Sequence, residues 1–245
     1  MKRRDKFEIL KNEKLTDSVY EMVLKGNAFR LLPGMFVNIE VEPLYLRRPI
    51  SACNVEGDDL TIIYKEVGTG TKKLSKMQKG NILDLVLPLG NGFHIKKEHE
   101  RVLLIGGGVG LPPLYYLMKK LKSQGKSVDV VMGFNTSGEI FYREKFEETA
   151  DGVSITTVDG SIGYKGFVTD APCVTGQYDF FYACGPMPML RAVCEKMETG
   201  GELSLEARMG CGFGACMGCA IKTASGMKRV CLEGPVFERG EIIWE

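Results

Sequence analysis

The sequence predicts an antiparallel β barrel, then an α/β domain with a parallel sheet, then a small C-terminal segment. Three observations carry this. Residues 5–95 read as short strands broken by turn signals, strand and helix patterns alternate from about residue 100, and glycine and cysteine crowd the chain from about 205.

In the first stretch, FEILKNEKL, VYEMVLKG, MFVNIEV, LTIIYKEV and ILDLVLPLG carry β-branched or aromatic residues bounded by Gly, Pro, Asn or Asp. Short strands at this spacing favour a small barrel. TKKLSKMQKG is expected to add one or two helical turns. In the second stretch RVLLIGG is an apolar strand, and LPPLYYLMKKLKSQG is a striped helix ending at Gly125. SVDVVMGF, VSITTVD and YDFFYACG follow as strands, with FYREKFEETA and PMPMLRAVCEKMETG as helices, an alternation that builds a parallel sheet. The boundaries expected are 1–98, 99–204 and 205–245. The last part has little periodicity, so a core of side chains does not explain its order.

Bulk properties exclude several classes. With 26% charged residues and a net charge of +1, there is no concentrated basic surface for nucleic acid. No apolar run approaches the roughly 20 residues of a membrane-spanning helix. The basic start runs into FEILKNEKL, too charged for a signal peptide, so a cytoplasmic protein is expected. Of eight cysteines, Cys53, Cys173, Cys184 and Cys194 are scattered and read as small buried residues, whereas Cys211, Cys216, Cys219 and Cys231 are crowded. Crowding beside isolated thiols points to a metal or cluster site in a reducing compartment.

Cys211, Cys216 and Cys219 have the C-x4-C-x2-C spacing of plant-type [2Fe–2S] proteins, in which a distant fourth cysteine, here Cys231, completes the set. Gly210, Gly212, Gly214 and Gly218 let the loop wrap tightly and turn amides toward sulfur. A structural zinc site is the alternative, but zinc usually pairs two C-x2-C knuckles and only one is present.

Two further motifs suggest anion sites. After the strand ending in Tyr64 and Lys65, Gly68-Thr69-Gly70-Thr71 offers amides and hydroxyls to a pyrophosphate, or is merely a turn. Gly106, Gly107, Gly108 and Gly110 join a strand to a helix. They fail the G-x-G-x-x-G pattern because Leu111 takes the third glycine position, and Asp129 lies inside the next strand rather than at its end. Cys184-Gly185-Pro186 ends another strand, where proline also suits a first helical turn. Asn135-Thr136-Ser137 has no arginine for a 2′-phosphate, which leans toward NADH, although Arg143 is near.

The order Arg47-Arg48-Pro49-Ile50-Ser51, then GTGT, GGGVG and CGP, resembles the ferredoxin-reductase superfamily, whose barrel binds FAD through an Arg-x-aromatic-Ser motif. That resemblance implies Arg48 on the FAD pyrophosphate and Ser51 near the flavin N5, as the catalytic position. It also implies Ile50 against the isoalloxazine, Gly70 and Thr71 on phosphate with Tyr64 and Lys65 beside them, and Cys184, Gly185 and Pro186 beside nicotinamide. Pro49 fixes its own φ and biases Arg48 toward extended geometry, so that the arginine is aimed at the site. Ile50 departs from the family's aromatic residue.

With LRRPIS, GGGVGLPPLYYL, TTVDGSIGYKGFVTD, YACGPMPML and LEARMGCGFGACMGCA, the whole chain resembles the electron-transfer subunits of class 1B dihydroorotate dehydrogenases. The resemblance implies FAD, a [2Fe–2S] cluster and NAD(H) as cofactors, and an FMN-containing dihydroorotate dehydrogenase catalytic subunit as partner. The chain has no length to spare for that partner's (β/α)8 barrel of about 250 residues. Glu206 and Arg208, by position, line the cluster–flavin boundary, the partner surface, or a local ion pair. Rival readings are a subunit of an NADPH-linked ferredoxin oxidoreductase or sulfide dehydrogenase, a stand-alone flavin reductase, and a non-enzymatic zinc module.

Overall fold

The computed structural model describes residues 2–28 and 30–244. Six strands, β1 (Arg3–Lys14), β2 (Val19–Lys25), β3 (Phe36–Ile39), β4 (Arg48–Glu56), β5 (Asp59–Lys65) and β6 (Ile82–Leu89), close a barrel in the order β1-β2-β5-β4-β3-β6. Every neighbouring pair is antiparallel. The helix α1 (Thr69–Leu74) bridges β5 and β6. Five barrel strands are legible as apolar runs; β4 is not. The Arg-Arg-Pro-Ile-Ser motif lies largely within it. Pro49 masks it by removing a ladder donor, yet the pairs Phe36–Ser51, Val37–Ile50 and Asn38–Pro49 hold it in register.

A bulge between Ala52 and Asn54 gives β4 an extra residue, Cys53. Ala52 faces the barrel core with Ile39, Leu60 and Ile62, whereas Cys53 joins a core shared with the next domain.

That domain holds β7 (Arg101–Gly107), α2 (Leu111–Ser123), β8 (Ser127–Phe134), α3 (Arg143–Glu147), β9 (Gly152–Thr157), β10 (Tyr164–Lys165), β11 (Phe180–Cys184), α4 (Met187–Lys196) and β12 (Gly201–Ser204). On α2, Leu114, Leu117, Met118 and Leu121 are buried at helical spacing, and Gly125 turns the chain out at φ +77°. The sheet order is β10-β9-β8-β7-β11-β12, all parallel. The chain winds outward from β7 in one direction and then returns to its other side. That reversal makes the carboxyl ends of β7 and β11 a topological switch point, where open α/β sheets bind ligands.

The C-terminal segment is not a separate unit. After the hairpin β13 (Ala220–Thr223) and β14 (Gly226–Arg229), β15 (Val236–Glu238) joins the sheet antiparallel to β12. The Asn91 side chain then acts as a strand would. It donates to the carbonyls of Glu233 (3.0 Å) and Val236 (2.8 Å) and accepts from the Val236 amide (2.9 Å). Among the described residues no helix is long and apolar enough to cross a membrane.

Barrel and sheet are joined by packing and by a buried charge. Val19, Cys53 and Ile63 from the barrel share a core with Leu111, Leu114 and Tyr142. The Tyr142 hydroxyl donates to Glu21 Oε2 (3.0 Å), a carboxylate 6% exposed that also faces Lys145 (3.5 Å) and Lys11 (3.3 Å). Burial opposes the Glu21 charge, but Lys145, Tyr142 and Lys11 together hold its carboxyl below the ordinary 4.5. A depressed folded value stabilises the fold above pH 4.5, and that contribution is lost as pH falls through the folded value. Tyr142→Phe is therefore expected to cost about 1.5–3 kcal/mol at neutral pH, because it removes a hydrogen bond to a charged group. The cost should shrink in acid; urea midpoints at two pH values measure it, and an equal loss at both would rule out a charged Glu21 as the cause.

Candidate functional site

The two arginines of the barrel motif have different work. Arg47 is committed to the scaffold: its guanidinium reaches Asp84 Oδ1 (2.7 Å) and the carbonyls of Asn38 (3.2 Å) and Asp84 (3.0 Å), tying β3 to β6. Among the described residues Arg48 bonds only carbonyls of its own turn, Leu46 and Arg47. Its guanidinium lies directly over Gly70, where any Cβ would collide with it. Arg48 and the Gly68–Thr71 turn, 20 residues apart in sequence, thus meet at the start of α1. Thr69, Gly70 and Thr71 open this helix beside the guanidinium, so their amides lack intrahelical partners.

Three expectations for this site change. The Thr71 hydroxyl is engaged by the Val67 (2.9 Å) and Gly68 (3.2 Å) amides, so it braces the turn and only its backbone amide remains for phosphate. Tyr64 is 1% exposed, with its hydroxyl on Asn12 Oδ1 (2.9 Å) and its ring stacked on Tyr20, so its side chain belongs to the barrel core. Ile50 packs against that same core rather than standing out from the strand as a flavin platform. Strand alternation explains it: Ile50 shares the inward face with Ala52, leaving Pro49 and Ser51 on the outward one. The Ser51 hydroxyl has no hydrogen-bond partner among the described residues. Lys65 faces Glu139 at 3.9 Å across the domain boundary.

An open cleft of about 470 Å³ runs between Leu44–Pro49 on one wall and Ala207, Arg208 and Met209 on the other. A second cavity of about 580 Å³, behind α4 and against Trp244, contains none of the predicted site residues.

The glycine turn and the Cys184-Gly185-Pro186 turn lie side by side at the sheet's switch point, with Cys184 in register with both Gly106 and Ser204. A Cβ on Gly110 would run into the Cys184 carbonyl and stand 2.7 Å from the Gly185 nitrogen. One on Gly107 would meet Met189 Sδ at 2.6 Å. Gly106 makes the room that Leu111 needs, since its Cβ would stand 2.5 Å from the Leu111 side chain. The small residue for close strand–helix packing has thus moved from helix to strand. Because Pro112 and Pro113 lack amide hydrogens and the Leu111 amide bonds Gly108, the first turn of this helix has no amide to offer an anion at those three positions. Burial pushes the Cys184 thiol up to about 12, so it is a neutral wall and not a nucleophile.

Sequence reasoning missed Glu139. Its carboxylate accepts the Asn135 amide (3.1 Å) and side chain (2.9 Å) just past β8, at the end of the strand where dinucleotide folds meet the adenosine ribose. It lies beyond the strand, where a spacing rule counted from the glycines does not find it. Arg143 is paired with Glu147 (2.8 Å).

The four crowded cysteines are drawn together in two pairs. The Cys211 amide donates to Cys216 Sγ (3.5 Å), the Ala215 amide to Cys211 Sγ (3.2 Å), and the Cys231 amide to Cys219 Sγ (3.4 Å). Among the described residues no three His, Cys, Asp or Glu side chains gather as a single-ion site. A two-iron core takes two thiolates at each iron, so paired sulfurs fit it. Burial resists ionisation of Cys211, but the amides of Phe213, Cys216 and Ala215 bring its thiol down to about 6. Burial pushes Cys231, beside Cys219, up to about 12. Asn38, 2% exposed on β3, donates from Nδ2 to the Cys211 carbonyl (3.2 Å) and leaves no room for a side chain at Gly212. Since Asn38 pairs with Pro49, the cysteine loop is fastened directly behind the Arg48–Ser51 strand.

Comparison with known proteins agrees with this geometry. Residues 206–243 match the iron–sulfur cluster binding domain of dihydroorotate dehydrogenase B, and residues 104–195 match the oxidoreductase NAD-binding domain. The chain is 41% identical to the dihydroorotate dehydrogenase B (NAD(+)) electron transfer subunit of Bacillus mycoides (strain KBAB4), over 99% of this chain and 100% of that protein. It is 40% identical to the one of Shouchella clausii (strain KSM-K16), over 99% of each. A solved structure of an NADH-dependent reduced ferredoxin-NADP oxidoreductase superposes with a TM-score of 0.90 at 31% identity, covering 97% of this chain and 90% of that one.

Because Arg48 rests on Gly70, Gly70→Ala is expected to displace the guanidinium and weaken FAD binding roughly tenfold, about 1.4 kcal/mol. Fluorescence titration of the apoprotein with FAD measures this, and unchanged affinity would remove Arg48 from the site.

Proposed function

The chain belongs to the family of dihydroorotate dehydrogenase B electron transfer subunits, and we propose that its electrons are exchanged with an FMN-containing catalytic subunit in a hetero-oligomer. It is the NAD-linked flavin and iron–sulfur subunit of an oxidoreductase. FAD held at Arg48 would supply the change from a two-electron hydride to single electrons, and a [2Fe–2S] cluster held by Cys211, Cys216, Cys219 and Cys231 would supply one-electron transfer.

The protein's part is to hold and orient. Arg48, with the first amides of α1, would neutralise and fix the FAD pyrophosphate. Pro49 and Ser51, on the outward face of β4, would meet the flavin ring, with the Ser51 hydroxyl as the donor near N5. Gly106–Gly110 would take the dinucleotide phosphates, while Cys184, Gly185 and Pro186 would wall the nicotinamide. Glu139 favours NADH over NADPH, because a carboxylate repels a 2′-phosphate and accepts from a ribose hydroxyl. Cys211, Cys216, Cys219 and Cys231 would ligate the cluster.

The observation that carries this reading is the fastening of the cysteine loop onto the flavin strand through Asn38 and the Cys211 carbonyl. It joins the two electron-carrying sites through one side chain and one strand pair.

A subunit of a ferredoxin–NADP oxidoreductase remains the second reading, supported by the solved structure at 31% identity. Dihydroorotate and NADPH, offered to the complex with its catalytic partner, separate the two.

Anaerobically purified chain is expected to carry FAD with two iron and two labile sulfide, and NADH should bleach both chromophores. Cys219→Ser is expected to lose the iron while its flavin still bleaches with NADH. Zinc without sulfide, or a chain that binds no flavin, would refute the proposal.

A further inference from the structure

The cysteine loop 211–216 has its carbonyl oxygens held from outside by three side chains from distant parts of the chain. Asn38 Nδ2, on β3, holds the Cys211 carbonyl at 3.2 Å. Lys2 Nζ, at the start of the chain, holds that of Phe213 at 3.0 Å. Arg229, at the end of β14, holds that of Gly214 at 2.5 Å. A trans peptide is planar, and its C=O and N–H point in opposite directions. Fixing a carbonyl outward therefore turns the next amide inward. The amide sharing the Gly214 carbonyl's peptide, Ala215 N–H, lies 3.2 Å from Cys211 Sγ, and the one sharing the Phe213 carbonyl's peptide, Gly214 N–H, favours the thiolate of Cys231. One sulfur from each cysteine pair thus receives an amide whose peptide is held from behind.

Arg229 has the firmest grip. Its own amide (2.7 Å) and Nε (3.1 Å) donate to Glu233 Oε2, and a second guanidinium nitrogen bonds Glu233 Oε1, which leaves the third nitrogen free for the Gly214 carbonyl. On its other side, Gly214 is closed in by Leu232, which a Cβ would meet at 2.6 Å. The Gly214–Ala215 peptide therefore has little freedom to rotate. Arg229 also stands two residues before Cys231, so its charge acts on the same sulfurs, opposed by that of Glu233.

We propose that Arg229 is a positioning residue that sets the reduction potential of the cluster, with Asn38 and Lys2 as lesser supports and Glu233 as the counter-charge that lowers it. The inference rests on the reading of Cys211, Cys216, Cys219 and Cys231 as [2Fe–2S] ligands. Reduction adds one electron to an already anionic centre, and amide donors and positive charge favour the more negative state. Removing the arginine should lower the potential. Neutralising its acidic partner should raise it.

The test is an EPR-monitored redox titration of the anaerobically purified wild type, Arg229→Met and Glu233→Gln, with iron and sulfide measured on each. Arg229→Met is expected to shift the midpoint to more negative values with altered g-values of the reduced cluster, and Glu233→Gln to shift it to more positive values. Opposite shifts are not expected from loosened packing alone, which would disturb both variants alike. Midpoints that stay at the wild-type value, or move in the same direction, overturn the inference. If Arg229→Met cannot retain iron, Glu233→Gln decides: a rise supports the proposal, and no change or a fall defeats it. A wild type without two iron and two sulfide would instead refute the cluster reading on which the inference stands.

Discussion

The strand β4 has to serve two cores at once, and the rest of the structure depends on how it does so. Ala52 faces the barrel while Cys53, one residue on, is buried among Leu111, Leu114 and Tyr142 of the nucleotide domain. An unbulged strand keeps a period of two and would hold one face to one partner along its length. The bulge at Cys53 shifts that phase, so Pro49 can line a cleft while residues further along the strand pack as core. Because β4 is rigidly shared, the cleft does not depend on a hinge between two separately folded units.

The same economy holds at the other end of the chain. The C-terminal segment is too polar and glycine-rich to bury a core of its own. Instead it borrows one: Cys219, Val230 and Cys231 pack with Phe36 and Leu89 of the barrel and Leu203 of the sheet. Asn91 supplies strand-like hydrogen bonds to it, and β15 completes the edge of the parallel sheet. A cysteine site built this way sits between barrel and sheet because both of them form its walls. Asn38 illustrates the cost, since its Oδ1 is buried without a partner among the described residues while Nδ2 holds the loop. A buried amide oxygen left unpaired costs about 1–3 kcal/mol, which the surrounding packing must offset.

At the switch point, close approach replaces the usual glycine pattern. The fingerprint's third glycine, which lets a helix lie close to its strand, is absent, and Gly106 on the strand side provides the same space for Leu111. Gly110 meanwhile brings the glycine turn and the Cys184–Pro186 turn into backbone contact. A fingerprint tests for residues at fixed positions, whereas packing requires only that one of two facing positions be small.

What the sequence by itself determined was whatever depends on local chemistry. Strand and helix alternation, the ends of α2 and the spacing of Cys211, Cys216 and Cys219 are properties of neighbouring residues, and each was legible. The hidden parts depended on residues far apart in the chain. Which arginine of the pair serves the scaffold is decided by Asp84 across the barrel, and which faces α1 by Gly70. That the side chains of Tyr64 and Ile50 pack with the barrel core was not legible, because strand phase is set by register with partner strands. Glu139, Asn38 and Arg229 carry no motif. Their roles come from hydrogen bonds to backbone groups, which any sequence offers at every residue, and only the tertiary structure decides which of those groups lies within reach.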